Sequence, residues 1–109
     1  MQVVPDTVVE EAAHRFAALL GDPIRPRIVR VLHEFGGSTV GEIATAAGTW
    51  GANASQHLGR LLLGGVAGLT RDGQVVRYRI TDDSVEQLCQ IVCDSVAGRA
   101  IASGGRGTR

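Results

Sequence analysis

Asp72-Gly73 lies between two short runs of alternating character, and that pair specifies a tight hairpin. On its far side Val76, Tyr78 and Ile80 alternate with Val75, Arg77 and Arg79. One face of that strand is therefore apolar and the other carries two arginines. Upstream, beyond the Gly64-Gly65 break, the stretch from Gly48 to Leu63 reads as a helix. Leu58, Leu61 and Leu62 fall at i, i+3 and i+4, while Ser55, Gln56, His57 and Arg60 collect near its middle. A helix, a glycine break and a charged two-stranded hairpin is the sequence form of a winged helix-turn-helix. Its helix enters the major groove of DNA and its wing follows the backbone.

The preceding chain supplies the remaining helices. Thr7-Val8-Val9-Glu10 fits a capping box, and the helix it opens ends at Gly21 with Val9, Ala13, Phe16, Ala17 and Leu20 inward. Asp22 as N-cap and Pro23 at the first position start a second helix, with Ile24, Ile28, Val31, Leu32 and Phe35 on its apolar face. Thr39-Val40-Gly41-Glu42 matches the capping box again, for a short helix with Ile43, Ala44 and Ala47 inward. After the hairpin, Asp83-Ser84-Val85-Glu86 opens a last helix with Val85, Leu88, Cys89, Val92 and Val96 on one face and Gly98 at its end. The expected fold is mainly α with a small β-hairpin, in the order α-α-α-α-β-β-α. Residues 1–6 read as a loose start, 7–98 as the winged helix-turn-helix domain, and the Gly/Ser/Arg/Thr-rich stretch 99–109 as a disordered tail.

Composition limits the partners less than placement does. The formal net charge is zero, so the whole chain is not a polycation. Between Ile43 and Thr81, however, Arg60, Arg71, Arg77 and Arg79 face only Asp72 in opposition. With 4% aromatic residues the core must be built from Val, Leu, Ile and Ala, and a dimer interface would help so small a core. No apolar run is long enough to span a membrane, and no signal-peptide pattern opens the chain, so a cytoplasmic location is expected. No phosphate-binding glycine loop and no nucleophile–base–acid pattern supports an enzyme.

Two sets of residues carry chemistry. Asn53, Ser55, Gln56 and His57 can hydrogen-bond base edges, Gln and Asn pairing well with adenine. Against this, His57 can pack beside the helix-turn-helix core. Arg60, Arg71, Arg77 and Arg79 suit DNA phosphates, or an ordinary solvated surface. Cys89 and Cys93, four apart, share one side of the last helix. They can hold a soft ion such as Zn(II), Cd(II), Cu(I), Hg(II) or trivalent arsenic, act as a redox pair, or pack as small hydrophobes. His14 and His33 read as surface residues rather than ligands.

The ordered set of motifs resembles the ArsR/SmtB family of winged-helix repressors. Leu19 to Ile28 is similar to the family's A-L-x-D-P-T-R-x-R-I-L, and Ser55-Gln56-His57-Leu58 to its V-S-Q-H-L. Gly65-Val66 and Arg71 to Tyr78 look like its G-L-V and R-x-G-R-x-V-x-Y wing. The resemblance implies a homodimer built from the first and last helices. It also implies a palindromic double-stranded operator, and release by a metal, metalloid or oxidant. Two known metal sites of the family do not carry over: no cysteine lies between Phe35 and Ile43, and no histidine follows Asp82 and Asp83 in the last helix. Trp50, Gly51 and Gly59 also depart from the family pattern. The expected function is a homodimeric repressor released by a thiol-reactive effector at Cys89 and Cys93. Alternatives are a redox-responsive or effector-less DNA-binding regulator, or a protein-interaction module anchored by Trp50.

Overall fold

The computed structural model describes residues 3–107, with side chains described through Arg99. Its elements are α1 (Asp6–Leu20), α2 (Ile24–Phe35), α3 (Val40–Ala47), α4 (Gly51–Leu63), β1 (Ala67–Asp72), β2 (Val75–Ile80) and α5 (Asp83–Gly107). This is the expected α+β winged helix-turn-helix layout.

Local chemistry explains the best-defined boundaries. Thr39 and Glu42 form the reciprocal capping box: Glu42 N–H donates to the Thr39 hydroxyl at 3.2 Å, and Thr39 N–H donates to the Glu42 carboxylate at 2.9 Å. Those two bonds, the backbone one first, hold the Glu42 carboxyl below its ordinary range. Gly48 closes α3 in the left-handed region and turns the chain into α4. The hairpin register pairs Asp72 with Val75 and Ala67 with Ile80, as Asp72-Gly73 dictates. Val76, Tyr78 and Ile80 are half-buried and alternate with exposed Val75, Arg77 and Arg79.

Other boundaries move. The expected Thr7 cap is absent; α1 begins at Asp6 behind Pro5, with no side-chain cap bond. Asp22 does cap the second helix, its Oδ1 accepting the Ile24 N–H at 2.9 Å, but Pro23 stands just outside α2. At α5 the cap is Asp82 rather than Asp83: Asp82 Oδ1 accepts both the N–H and the hydroxyl of Ser84. Arg15 adds an ion pair to Asp82 at 2.6 Å. The Ser84 hydroxyl first, then Arg15, hold the Asp82 carboxyl below its usual value. The last helix passes through Gly98, because a single helical glycine between Ala97 and Arg99 costs only about 1 kcal/mol, and it extends to Gly107.

The core sits where α2, α3 and α4 meet the base of the hairpin. Ile28, Val29 and Leu32 of α2 pack with Ile43 and Ala47 of α3, Leu58 and Leu61 of α4, and Val66. Val29 replaces the expected Phe35, which is 64% exposed. From α1 only Leu19 is fully buried, with Ala18 and Leu20 packed against the cluster. The expected face is thus rotated by about one residue: Val9 and Phe16 are about half exposed. Ile91, Val92 and Val96 of α5 are also exposed. The α1 stripe and the distal part of α5 therefore present apolar side chains that this single chain does not cover.

Ser38 supplies a connection the sequence pattern does not reveal. It is buried and pairs with Tyr78 of β2 through two backbone bonds, of 3.0 and 2.8 Å. The link between α2 and α3 is thereby fastened to the wing.

Candidate nucleic-acid interface

The helix-turn-helix residues divide into an inner and an outer set. Ala54, Leu58 and Leu61 of α4 are buried, so the helix is pinned by one stripe and its opposite face is free. Ser55, Gln56 and Arg60 are exposed. Asn53 is half-buried, and its amide nitrogen donates to the Thr49 hydroxyl at 2.8 Å, which leaves its carbonyl oxygen as an acceptor. Trp50 stands at the N-cap, 69% exposed, with no side-chain cap bond. The first turn of α4 thus keeps unpaired N–H groups beside a large aromatic surface.

His57 departs from the outer set. Only 14% of its side chain is exposed, and both ring nitrogens face the start of α2. It has partners within the protein that the sequence reading did not assign to it.

The wing arginines are all exposed, on two faces. Arg77 pairs in register with Thr70 and Arg79 with Gly68, so these two share one face of the hairpin. Arg71 lies opposite Val76 on the other face, next to the turn. Arg77 also reaches Glu42 at the start of α3, with 3.6 Å between charged atoms. That contact is exposed on both sides, so it orients the arginine without neutralising it strongly. The exposed α4 face carrying Ser55 and Gln56 offers hydrogen bonds for base edges, and the two-arginine wing face offers cations for phosphates.

The two cysteines come together on α5, with 3.8 Å between their sulfurs. Cys89 is buried and Cys93 exposed. Burial, and then the neighbouring Cys93, push the Cys89 thiol up to about 11. A tetrahedral ion with metal–sulfur bonds of about 2.3 Å would hold two sulfurs about 3.8 Å apart, so the pair fits half of a soft-metal site. Among the described residues no group of three or more His, Cys, Asp or Glu completes one. His33 faces Glu86 at 3.9 Å, and Asp94 accepts from Gln90. Among the described residues no helix is long and apolar enough to cross a membrane.

No family model matches the chain, and no curated protein does. Solved structures do. The homodimeric winged helix-turn-helix DNA-binding domain of Mb0332 from Mycobacterium bovis, described as a possible ArsR-family transcriptional regulator, is 28% identical. Their alignment covers 94% of each chain with a TM-score of 0.71. Rv0081 of M. tuberculosis is 31% identical over 92% of this chain and 96% of its own, with a TM-score of 0.66. The transcriptional repressor BigR from Xylella fastidiosa is 29% identical over 80% and 87%, with a TM-score of 0.69.

Proposed function

The chain belongs to the ArsR/SmtB family of winged helix-turn-helix transcriptional regulators, and on that premise we propose that it is a homodimeric repressor that binds a palindromic DNA operator and is released by a thiol-reactive effector. It is a regulator and not an enzyme. The observation that supports DNA binding most directly is the free face of α4. Ser55 and Gln56 point away from the buried stripe, and Arg77 and Arg79 line a hairpin fastened to the same unit through Ser38 and Tyr78.

Pairing of two chains follows from the uncovered stripes. Val9 and Phe16 on α1 and Ile91, Val92 and Val96 on α5 are apolar, exposed and carried by two helices that touch each other. Burying them against a second copy removes apolar area from water at roughly 25 cal/mol per Å². It also sets two α4 helices at a fixed spacing, which is what a palindrome requires.

The effector step rests on Cys89 and Cys93. Each chain would contribute these two sulfurs toward a soft metal or metalloid ion, and a paired chain would bring two more near the two-fold axis. Cys89 must lose its proton to bind such an ion, and burial raises the cost of that step. A soft ion held by Cys89 and Cys93 would supply strong thiolate bonds in place of the packing of a neutral Cys89 in the core.

The test is fluorescence anisotropy of the reduced protein on DNA from upstream of its own gene, repeated during titration with Cd(II) and trivalent arsenic. Tight, salt-dependent binding released by about one ion per chain or per pair is expected. Binding that ignores both ions would remove the soft-ion effector and keep the regulator. No binding to that duplex would remove the proposed operator.

A further inference from the structure

His57 follows Gln56 on α4, yet it is turned inward. Arg25 Nη1 lies 3.2 Å from its Nδ1, and Asp22 Oδ1 lies 3.8 Å from its Nε2. A guanidinium can only donate, so Nδ1 must accept, and the ring proton then sits on Nε2, toward the Asp22 carboxylate. Asp22 is itself held, since the same Oδ1 accepts the Ile24 N–H. Arg25 Nε is buried with no hydrogen-bond partner, so the guanidinium gives up a donor in taking this position. Gly21 makes the room for it: a Cβ there would collide with Arg25 Nη2.

We propose that Arg25 is a positioning residue for the nucleic-acid interface: acting through His57, it sets the roll of α4 on α2 so that Ser55 and Gln56 face outward, and His57 itself reads no base. This deepens the DNA-binding reading above and rests on it. The lever is short. At a side-chain radius of about 5–6 Å, a roll of about 10° moves the outer end of Gln56 by about 1 Å. Interfaces of this kind hold their geometry to about 0.5 Å. The buried stripe of Ala54, Leu58 and Leu61 holds α4 against the core from one side, and the bond from Arg25 to one ring nitrogen fixes the remaining roll about that stripe.

The test compares the full chain with Arg25→Ala, His57→Ala, His57→Gln and the Arg25→Ala/His57→Ala double variant. Each is titrated onto the duplex from upstream of its own gene and onto a scrambled duplex of the same composition. Gln can accept from Arg25 and donate toward Asp22, so it reproduces both roles of the ring. The two single Ala variants are expected to weaken binding to the first duplex about tenfold each, the effect of about one charge-assisted hydrogen bond. The double variant should be no weaker than the singles, His57→Gln should stay near wild type, and binding to the scrambled duplex should not change. Nitrogen-15 spectra of the DNA-free wild type should show the His57 imidazole as the Nε2–H tautomer, a reading that needs no variant to fold. Additive losses, a His57→Gln variant as weak as His57→Ala, or the opposite tautomer would overturn the positioning role alone. A wild type that binds neither duplex would remove the DNA reading and the positioning role with it.

Discussion

The sulfurs of Cys89 and Cys93 lie 3.8 Å apart on successive turns of α5, one in the core and the other at the surface. Their reactivities should therefore separate. Cys93 should be alkylated first by iodoacetamide at about pH 8, and Cys89 only slowly, because burial keeps its thiol protonated up to about 11. The linkage has a definite sign. A thiol raised above its unfolded value stabilises the fold below that value, about 8.5, and the contribution is lost as pH rises through about 11. Wild type should lose stability to alkali over that window more steeply than Cys89→Ala. Mass spectrometry of the alkylated chain and urea melts across pH check both statements, and equal alkylation rates would contradict the first.

Gln56→Ala should reduce discrimination rather than general affinity. The side chain is exposed on the free face of α4, and one bidentate base contact is worth about 1–3 kcal/mol. Binding to the operator duplex should weaken by that amount and binding to a scrambled duplex should not. Equal losses on both would mean that Gln56 contributes no base readout.

Arg77 and Arg79 share one face of the wing and should act on the salt dependence. Replacing either by Ala is expected to lower the slope of log affinity against log salt by about 0.9, the signature of one phosphate contact. Arg71, on the other face beside the turn, provides the comparison. Titrations at three salt concentrations measure the slopes, and an unchanged slope for both variants would take the wing off the backbone.

Two glycines of the same region should respond in opposite directions to alanine. A Cβ on Gly64 would overlap the Cβ of Ala18, where α1 crosses the end of α4, whereas a Cβ on Gly59 meets nothing within 4 Å. Gly64→Ala should destabilise by about 1–3 kcal/mol through forced separation of the helices. Gly59→Ala should stabilise by up to about 1 kcal/mol through helix propensity. Urea denaturation of both variants decides the matter.

Asp82→Ala should cost about 1–2 kcal/mol near pH 7, since it removes the cap on Ser84 and the partner of Arg15. The carboxyl is held below its ordinary value, so its contribution is present above the unfolded value of about 3.9 and is lost as pH falls through the lower, folded one. Wild type and variant should therefore converge in strong acid. A gap that persists at about pH 2 would show that the cap, not the charge, carries the effect.

The parts of this molecule readable from sequence are those set by neighbours in the chain. Asp72-Gly73 determines the hairpin register, Thr39 with Glu42 starts α3, and the spacing of Leu58 and Leu61 turns α4 inward. The parts that were not readable depend on residues far apart. Phe16 and Val9 look like core residues by periodicity, yet α1 rests on its neighbours through Leu19, and nothing local distinguishes the two stripes. Phe35 is misplaced for the same reason, with Val29 taking the inner position. His57 sits among base-reading candidates in the sequence. Only the approach of Arg25 and Asp22, more than thirty positions earlier, turns it toward α2. The Arg25 side chain carried no signal of that contact beyond its charge.

The pairing of Ser38 with Tyr78 bears on how the hairpin meets another surface. Two-stranded ribbons standing alone in water are marginal and sway. This one is stitched at its base, because the joint between α2 and α3 acts as a third, one-residue strand. Its backbone is ordered when the chain folds, so docking has only the arginine side chains left to immobilise. A wing built this way behaves as a fixed blade rather than a searching arm.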